Sequence, residues 1–405
     1  MVLDDTRARR LIVAIAAAAL LLRLAFALLY WVDRPLTHDE QEYLGLARSI
    51  ADGRGFTYDD AIDTGTAQRF GRAPGYPLFL AALDAGRPVP STTPARLKIA
   101  QSLIGALTVW IIGALALSIA GARAGVVAAA IAAVYPSLVW LSAYALSEAI
   151  YACLAMATVF VVQRAVDREH VGLAMAAGAL AGAAALVRPA MLIFLPLAIL
   201  WMLARRRPAL AVATVLASAA VIAPWTIRNV RVHERFVLIA SEGGVTFWTG
   251  NHPLAVGEGD LAANVELKRA ELAFRAAHPG LNAEQLEPLY YRDALEWIAA
   301  HPVQWTVLLV RKIFYTIVPA GPSYAVHSAR YRIASIVPYA IVLPFALAGA
   351  LRLFRSPRRP VALFLMAASA ILVCIVFFPQ ERFRIPVIDP ILIVCAAALA
   401  GRSRT

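Results

Sequence analysis

The 405-residue chain is 60% hydrophobic and 16% charged, with a mean hydropathy of +0.68. A soluble globule carries roughly half apolar and about a quarter charged residues, so a soluble enzyme, a secreted disulfide scaffold and a disordered tail are excluded. The 38 basic and 26 acidic side chains leave a net charge of +12, which would suit nucleic acid only if the charges shared one face, and they do not.

Arg7, Arg9 and Arg10 precede an apolar run from Leu11 to Trp31, broken only by Arg23. It is too long for a signal peptide and no small-residue cleavage site follows, which predicts an uncleaved first span starting in the cytoplasm. Further apolar blocks at 97–119, 124–141, 144–163, 171–187, 189–203, 209–226, 333–354, 360–378 and 385–400 predict about ten transmembrane helices in one integral membrane domain, residues 1–405. Cys153, Cys374 and Cys395 all fall inside such blocks and read as reduced core residues.

With the N-terminus inside, Arg123, the segment 164–170, Arg205 to Arg207, the segment 352–359, Arg402 and Arg404 are all cytoplasmic, as the positive-inside rule requires. Two long polar segments fall outside. Residues 33–97 carry 7 basic and 9 acidic side chains, and residues 227–302 carry 7 and 10, so the basic excess is largely a topology signal. Residues 303–319 are apolar enough to cross, but a single crossing would put the 352–359 arginines outside. Parity predicts an interfacial or re-entrant helix there, for which Trp305, Arg311 and Lys312 are suited.

No fixed-period repeat and no matched pair of broken hydrophobic segments points to an inverted-repeat transporter. Glu148 lies near an outer end of a span and reads as a solvated or interfacial carboxylate.

In the first outer segment, Tyr43, Leu46, Ala47 and Ile50 follow helical spacing, which predicts a short amphipathic helix on the membrane surface. Thr37 and Glu40 have capping-box spacing, which accounts for Glu40 structurally. Asp39 is explained less well that way, since a dipole-stabilised carboxylate beside the bilayer is also a fixed proton acceptor. Arg72, in Arg69-Phe70-Gly71-Arg72-Ala73-Pro74-Gly75-Tyr76-Pro77, sits on a proline-fixed corner where it can grip a phosphate or snorkel to headgroups.

In the second outer segment, Gly243, Gly244 and Gly250 flank Phe247-Trp248, which predicts a folded loop with close backbone approach. His233, His252 and His278 share no ligand spacing, so no metal site is expected. Arg382 and Arg384, in Glu381-Arg382-Phe383-Arg384-Ile385-Pro386, and Arg188 stand at outer ends, where arginine runs against topology economy, and are candidates for an anion.

These blocks, together with Pro224-Trp225-Thr226-Ile227-Arg228-Asn229 and Gly250-Asn251-His252-Pro253, run in order along nearly the whole chain. The set resembles the GT-C type membrane glycosyltransferases, in the bacterial branch related to dolichyl-phosphate-mannose protein mannosyltransferases and to the aminoarabinose and galacturonic acid transferases.

The resemblance implies inverting transfer of a sugar from a polyprenyl-phosphate donor to an acceptor hydroxyl outside the bacterial inner membrane. It implies Asp39 as general base, with Glu40 beside it, and Arg72 on the donor phosphate; Arg188 and Arg384 are further candidates for that phosphate. Tyr43, Tyr76, Arg228, Asn229, Asn251, His252 and Arg382 are candidates for the substrate pocket. No cofactor or metal is expected, and the partners are the bilayer, the lipid-linked donor and a lipid, polysaccharide or protein acceptor. The alternative is a lipid-linked sugar flippase, which would use the same arginines but not Asp39.

Overall fold

The computed structural model describes residues 3–57, 71–259, 263–318, 321–322, 324, 328–357 and 359–401. The Asp- and Gly-rich stretch after residue 57, Arg69, Phe70, Arg358, Arg402 and Arg404 lie outside the described residues.

The described chain is helical: α1 (Asp5–Ala25), α2 (His38–Ala51), α3 (Gly75–Ala82), α4 (Ala95–Ala120), α5 (Ala122–Val134), α6 (Pro136–Trp140), α7 (Glu148–Arg168), α8 (Val171–Val187), α9 (Met191–Ala204), α10 (Pro208–His233), α11 (Gly243–Gly250), α12 (Val265–Ala276), α13 (Ala283–Ala300), α14 (Pro302–Ile317), α15 (Ala329–Arg355), α16 (Val361–Val376), α17 (Glu381–Arg384) and α18 (Ile388–Ala398). Five are long and apolar enough to span a bilayer: α1 with the π-helical turn that extends it, α4, α7, α10 and α15. Five more, α5, α8, α9, α16 and α18, are apolar but shorter. The chain is thus a multi-pass integral membrane protein.

The elements depart from the predicted blocks where local chemistry intervenes. The block 124–141 is split, because Pro136 starts α6 at its first turn and holds Tyr135 extended. The block expected from 144 begins at Glu148, and α10 runs on to His233. The stretch expected as a folded loop after Ser241 is the helix α11. Its Gly250 does make the close approach, since a Cβ there would run into the Phe377 backbone. Gly178 and Gly182 let α8 lie directly on α10, where a side chain would strike the Thr214 and Ser218 backbones.

Several cations in the bundle, Arg352 among them only half-buried, share one task. Helices that end inside apolar surroundings leave carbonyls without partners, and at four such ends a basic side chain takes them. Arg23, 1% exposed, donates to Ala132 and Ala133 where α5 stops. Lys98 donates to Trp31 just past α1 and its π turn, and Arg352 donates to Ala398, Leu399 and Gly401 beyond α18.

Lys312 of α14, fully buried, donates to Ile375 and Val376 at the end of α16 and to Asn251 Oδ1. Val303, Val307, Val310, Phe314 and Ile317 form an exposed apolar stripe on the same helix. Replacing Lys312 with methionine orphans these buried acceptors. It is expected to cost about 1–3 kcal/mol, seen as a lower unfolding temperature in detergent; an unchanged temperature would remove this account of Lys312.

Candidate active site

One end of the bundle gathers charge from across the sequence. Thr37 caps α2 in a capping box with Glu40, and this fixes Asp39 in the first turn, where the helix dipole favours an anion. Arg72, just before α3, reaches back to α2: Nη2 donates to Asp39 Oδ1 at 2.8 Å, and Nε and Nη2 donate to Glu42 Oε2 at 2.9 and 2.5 Å. Its Nη1 meets Glu242, the residue preceding α11, at 3.2 Å. On the other side Arg382 of α17 donates to Asp39 Oδ2. The carboxylate is thus held between guanidiniums that come from opposite ends of the chain.

Tyr43 lies beneath Arg72, ring to guanidinium 5.1 Å, and meets Tyr76 edge to face. A second ion pair stands alongside: Arg188 donates to Glu148 at 2.6 Å and its guanidinium lies over the Phe383 ring. Glu148 is 2% exposed and paired, not the solvated or interfacial carboxylate expected from sequence. Its position at the start of α7, pointing between helices, gives it a partner that a sequence window cannot show.

Accessibility separates the members. The Asp39 side chain is 21% exposed against 6% for Glu42, and Arg382 is 39% exposed against 10% for Arg72. An incoming molecule therefore meets Asp39, Arg382 and Glu242 before Arg72 or Glu42. Burial alone would push the Asp39 carboxyl up, but Arg382 and Arg72 outweigh it and hold the group well below the usual carboxylate range. Burial lifts Glu42 to about 7 against the pull of Arg72. Two carboxylates three residues apart on one helix face are thus driven in opposite directions.

The remaining sequence candidates are placed elsewhere. Glu40 points away from Asp39 and is consumed by Thr37, by Thr93 Oγ1 and by the Ala145 backbone N–H. Tyr76 donates to Gln101. Asn251 uses its amide to tie α11, α14 and α16, donating to Phe247 and Val376 and accepting from Trp305 and Lys312. His252 stacks on Trp248. Arg384, 4% exposed, pairs with Asp389 at 3.0 Å and lies over Tyr339. Arg228 and Asn229 line a neighbouring cavity.

Glu42 and Glu242 were not among the candidates. Glu42 was within reach of sequence reasoning, since residues i and i+3 share a helix face while i+1 turns away.

His38, Asp39 and Glu42 each offer a ligand atom within 4.8 Å of the others. Both Asp39 oxygens and Glu42 Oε2 are already taken by guanidinium donors, so a dication there would have to displace Arg72 and Arg382 and sit against their charge. Only His38 and Glu42 Oε1, which is buried without a hydrogen-bond partner, are left open, too few ligands for a resident metal as these side chains stand.

The helix that follows Glu242 rests on Glu287, which accepts from the Gly243 and Gly244 backbone. Burial raises Glu287 from 4.5 to about 7. The native state then holds a proton that the unfolded chain has released, so stability falls as pH rises between those values. Glu287→Gln is expected to remove part of that fall when unfolding temperature is followed across the window. An unaltered slope would contradict it.

The fold is that of the GT-C type membrane glycosyltransferases. A model of the dolichyl-phosphate-mannose-protein mannosyltransferase family matches residues 81–227. The apo oligosaccharyltransferase of Archaeoglobus fulgidus superposes with a TM-score of 0.57 at 16% identity, over 96% of this chain and 50% of that one. The same organism's oligosaccharyltransferase AglB, in complex with an inhibitory peptide and a dolichol-phosphate, gives 0.54 at 15% over the same shares. ArnT from Cupriavidus metallidurans in the apo state is also similar, with a TM-score of 0.41 at 16% identity over 96% of this chain and 77% of that one. The chain spans about half the length of the oligosaccharyltransferases it matches. No curated protein sequence matches it. The shared fold bears out the GT-C resemblance, and the family model adds a match over residues 81–227.

Proposed function

We propose that the protein transfers a sugar from a polyprenyl-phosphate donor to an acceptor hydroxyl at the extracytoplasmic surface of a bacterial inner membrane. The observation that carries this is the partly exposed Asp39 held between Arg72 and Arg382. Basic side chains gather where α4 meets α5 (Arg123), α7 meets α8 (Arg164, Arg168), α9 meets α10 (Arg205 to Arg207) and α15 meets α16 (Arg352, Arg355, Arg359), and they support the orientation, since such side chains belong on the cytoplasmic side.

In the reaction the acceptor O–H attacks the anomeric carbon, the bond from that carbon to the phosphate oxygen breaks, and its electron pair leaves on the phosphate. Configuration inverts, and Asp39 takes the hydroxyl proton. A phosphate leaving group needs positive charge more than it needs an acid, and Arg382 supplies it as the exposed guanidinium. Arg72, nearly enclosed by Glu42, Asp39 and Glu242, serves chiefly to position Asp39. Arg188 lies over the Phe383 ring and steadies the turn that carries Arg382.

The clamp also couples binding to chemistry. While Arg382 holds Asp39 Oδ2, the carboxylate is a weak base. A phosphate that draws Arg382 away removes that contact and raises the basicity of Asp39 when a proton must be accepted. No metal takes part in this scheme, and transfer should persist in EDTA.

Undecaprenyl phosphate, titrated into the protein in phosphatidylcholine nanodiscs, should raise its unfolding temperature saturably. Absence of any saturable rise would overturn the reading.

A further inference from the structure

Beside the carboxylate cluster, and sharing Arg72 with it, lies a cavity of about 670 Å³ between the end of α10, the 237–241 segment and the turn joining α12 to α13. That is within the usual range of ligand pockets, about 300–1,000 Å³. One wall is aromatic: Trp225 and Phe56 meet edge to face at 4.9 Å. The Trp225 indole is fixed in orientation, because Nε1 donates to the Ile239 carbonyl at 2.8 Å and Thr226 Oγ1 donates to Leu238 beside it.

Against this wall stands Arg228, its guanidinium 4.8 Å from the Trp225 ring and 5.7 Å from Phe56. It is anchored by neutral groups, donating to the Phe56 carbonyl and to Asn229 Oδ1. Among the described residues no carboxylate lies within ion-pair distance of it, and Glu284 across the cavity acts on it only from farther off. Every arginine of the catalytic cluster, by contrast, is paired with a carboxylate. The lining as a whole carries three arginines, Arg72, Arg228 and Arg275, against one glutamate, Glu284, which faces His233 and Ser241.

We propose that this cavity is the acceptor subsite and that the acceptor is an acidic saccharide, one ring lying on Trp225 and its carboxylate or phosphate group on Arg228. The inference rests on the proposed transferase function and adds the class of acceptor. An immobilised aromatic face takes the apolar face of a sugar ring. A guanidinium held by neutral acceptors keeps its charge available for an anion, with planar donors suited to carboxylate or phosphate. Because Arg72 borders both spaces, a saccharide in the cavity lies next to the carboxylate that is to accept its proton.

The test uses the full chain in phosphatidylcholine nanodiscs, with a hyaluronan tetrasaccharide and glucose 6-phosphate as acidic probes and chitotetraose as the neutral one, read by calorimetry and tryptophan fluorescence. At least one acidic probe should bind saturably and more tightly than chitotetraose. Arg228→Gln should weaken it by about tenfold or more, the size of a lost charge-assisted contact, and Trp225→Leu should weaken both classes. Arg228→Lys, which keeps the charge but not the planar fork, should bind the acidic probe more weakly than the wild type and more tightly than Arg228→Gln, which separates loss of charge from misfolding.

Undecaprenyl phosphate should show the opposite dependence, weakened about tenfold or more in Arg382→Gln and kept in Arg228→Gln. Any of these results overturns the proposal: no saccharide binding, equal binding of neutral and acidic probes with Arg228→Gln inert, or loss of undecaprenyl phosphate in Arg228→Gln. Competition for Arg228 by phosphatidylglycerol, with no acidic saccharide bound, assigns the cation to lipid headgroups and likewise overturns it. Saccharide binding without any binding of undecaprenyl phosphate would instead leave the cavity standing and remove the proposed donor.

Discussion

Asp39→Asn should lower glycosyl transfer by about 10³-fold, within the usual span of a positioned general base, while leaving the fold intact. Asparagine keeps the shape but has a single acceptor oxygen, which can stay with Arg72 while its amide nitrogen faces Arg382; the cap of α2 is made by Thr37 and Glu40 and is not disturbed. Donor affinity should move the other way. In the wild type Arg382 is bound to Asp39, and that contact must be given up when a phosphate arrives. The neutral amide holds Arg382 less strongly, so undecaprenyl phosphate should bind the variant at least as tightly as the wild type. A collapse in turnover with no loss of donor binding is the signature of a group that acts only in the transition state. Equal loss of both would mean that Asp39 organises the site without taking the proton. A flippase would keep transporting with asparagine at this position.

The second large effect separates the arginines. Arg382 is the exposed partner and Arg72 the buried one, so Arg382→Gln should weaken undecaprenyl phosphate by about tenfold or more at nearly unchanged unfolding temperature, as expected for one charge-assisted hydrogen bond to a ligand. Arg72→Gln should instead destabilise the protein. It leaves Glu42 buried without its guanidinium, and breaking a buried pair in this way typically costs about 3–5 kcal/mol. The double variant Arg72→Gln with Glu42→Gln should recover most of that stability, because the two residues touch and their effects are not additive. It should not recover transfer, since Asp39 would still lack one of its clamps. If Arg72→Gln proved stable and lost donor binding as fully as Arg382→Gln, the division of labour between them would be wrong.

The helical membrane architecture was legible because it rests on hydropathy and arginine placement, both of which are one-dimensional. The capping box at Thr37 and Glu40, and the close approach at Gly250, were legible for a similar reason, since they depend on residues near in sequence or on the absence of a side chain. Asp39, Arg72, Arg188 and Arg382 could be named individually from their positions at span ends. What brings them together is the packing of α2, α3, α7, α8 and α17, and no sequence window contains that. Hence Glu148 was read as solvated although it has Arg188 as partner, and Arg384 was ranked with the phosphate-binding arginines although Asp389 and Tyr339 occupy it.

The buried cations show the same limit. Arg23 stands out as an interruption of the first apolar run, but its use lies at the end of α5, more than a hundred residues away, where Pro136 stops the helix and leaves the Ala132 and Ala133 carbonyls open. Asn251 likewise looks like a loop residue in Gly250-Asn251-His252-Pro253. Its four hydrogen bonds to α11, α14 and α16 make it a structural tie instead.

The most direct test of the central claim is mass spectrometry of lipid and envelope-glycan extracts from deletion cells complemented with the wild-type protein or with Asp39→Asn at matched expression. The account predicts that one sugar disappears from an envelope molecule in the variant while its polyprenyl-phosphate donor accumulates. Identical extracts from the two complemented strains, both differing from the uncomplemented deletion, would contradict it.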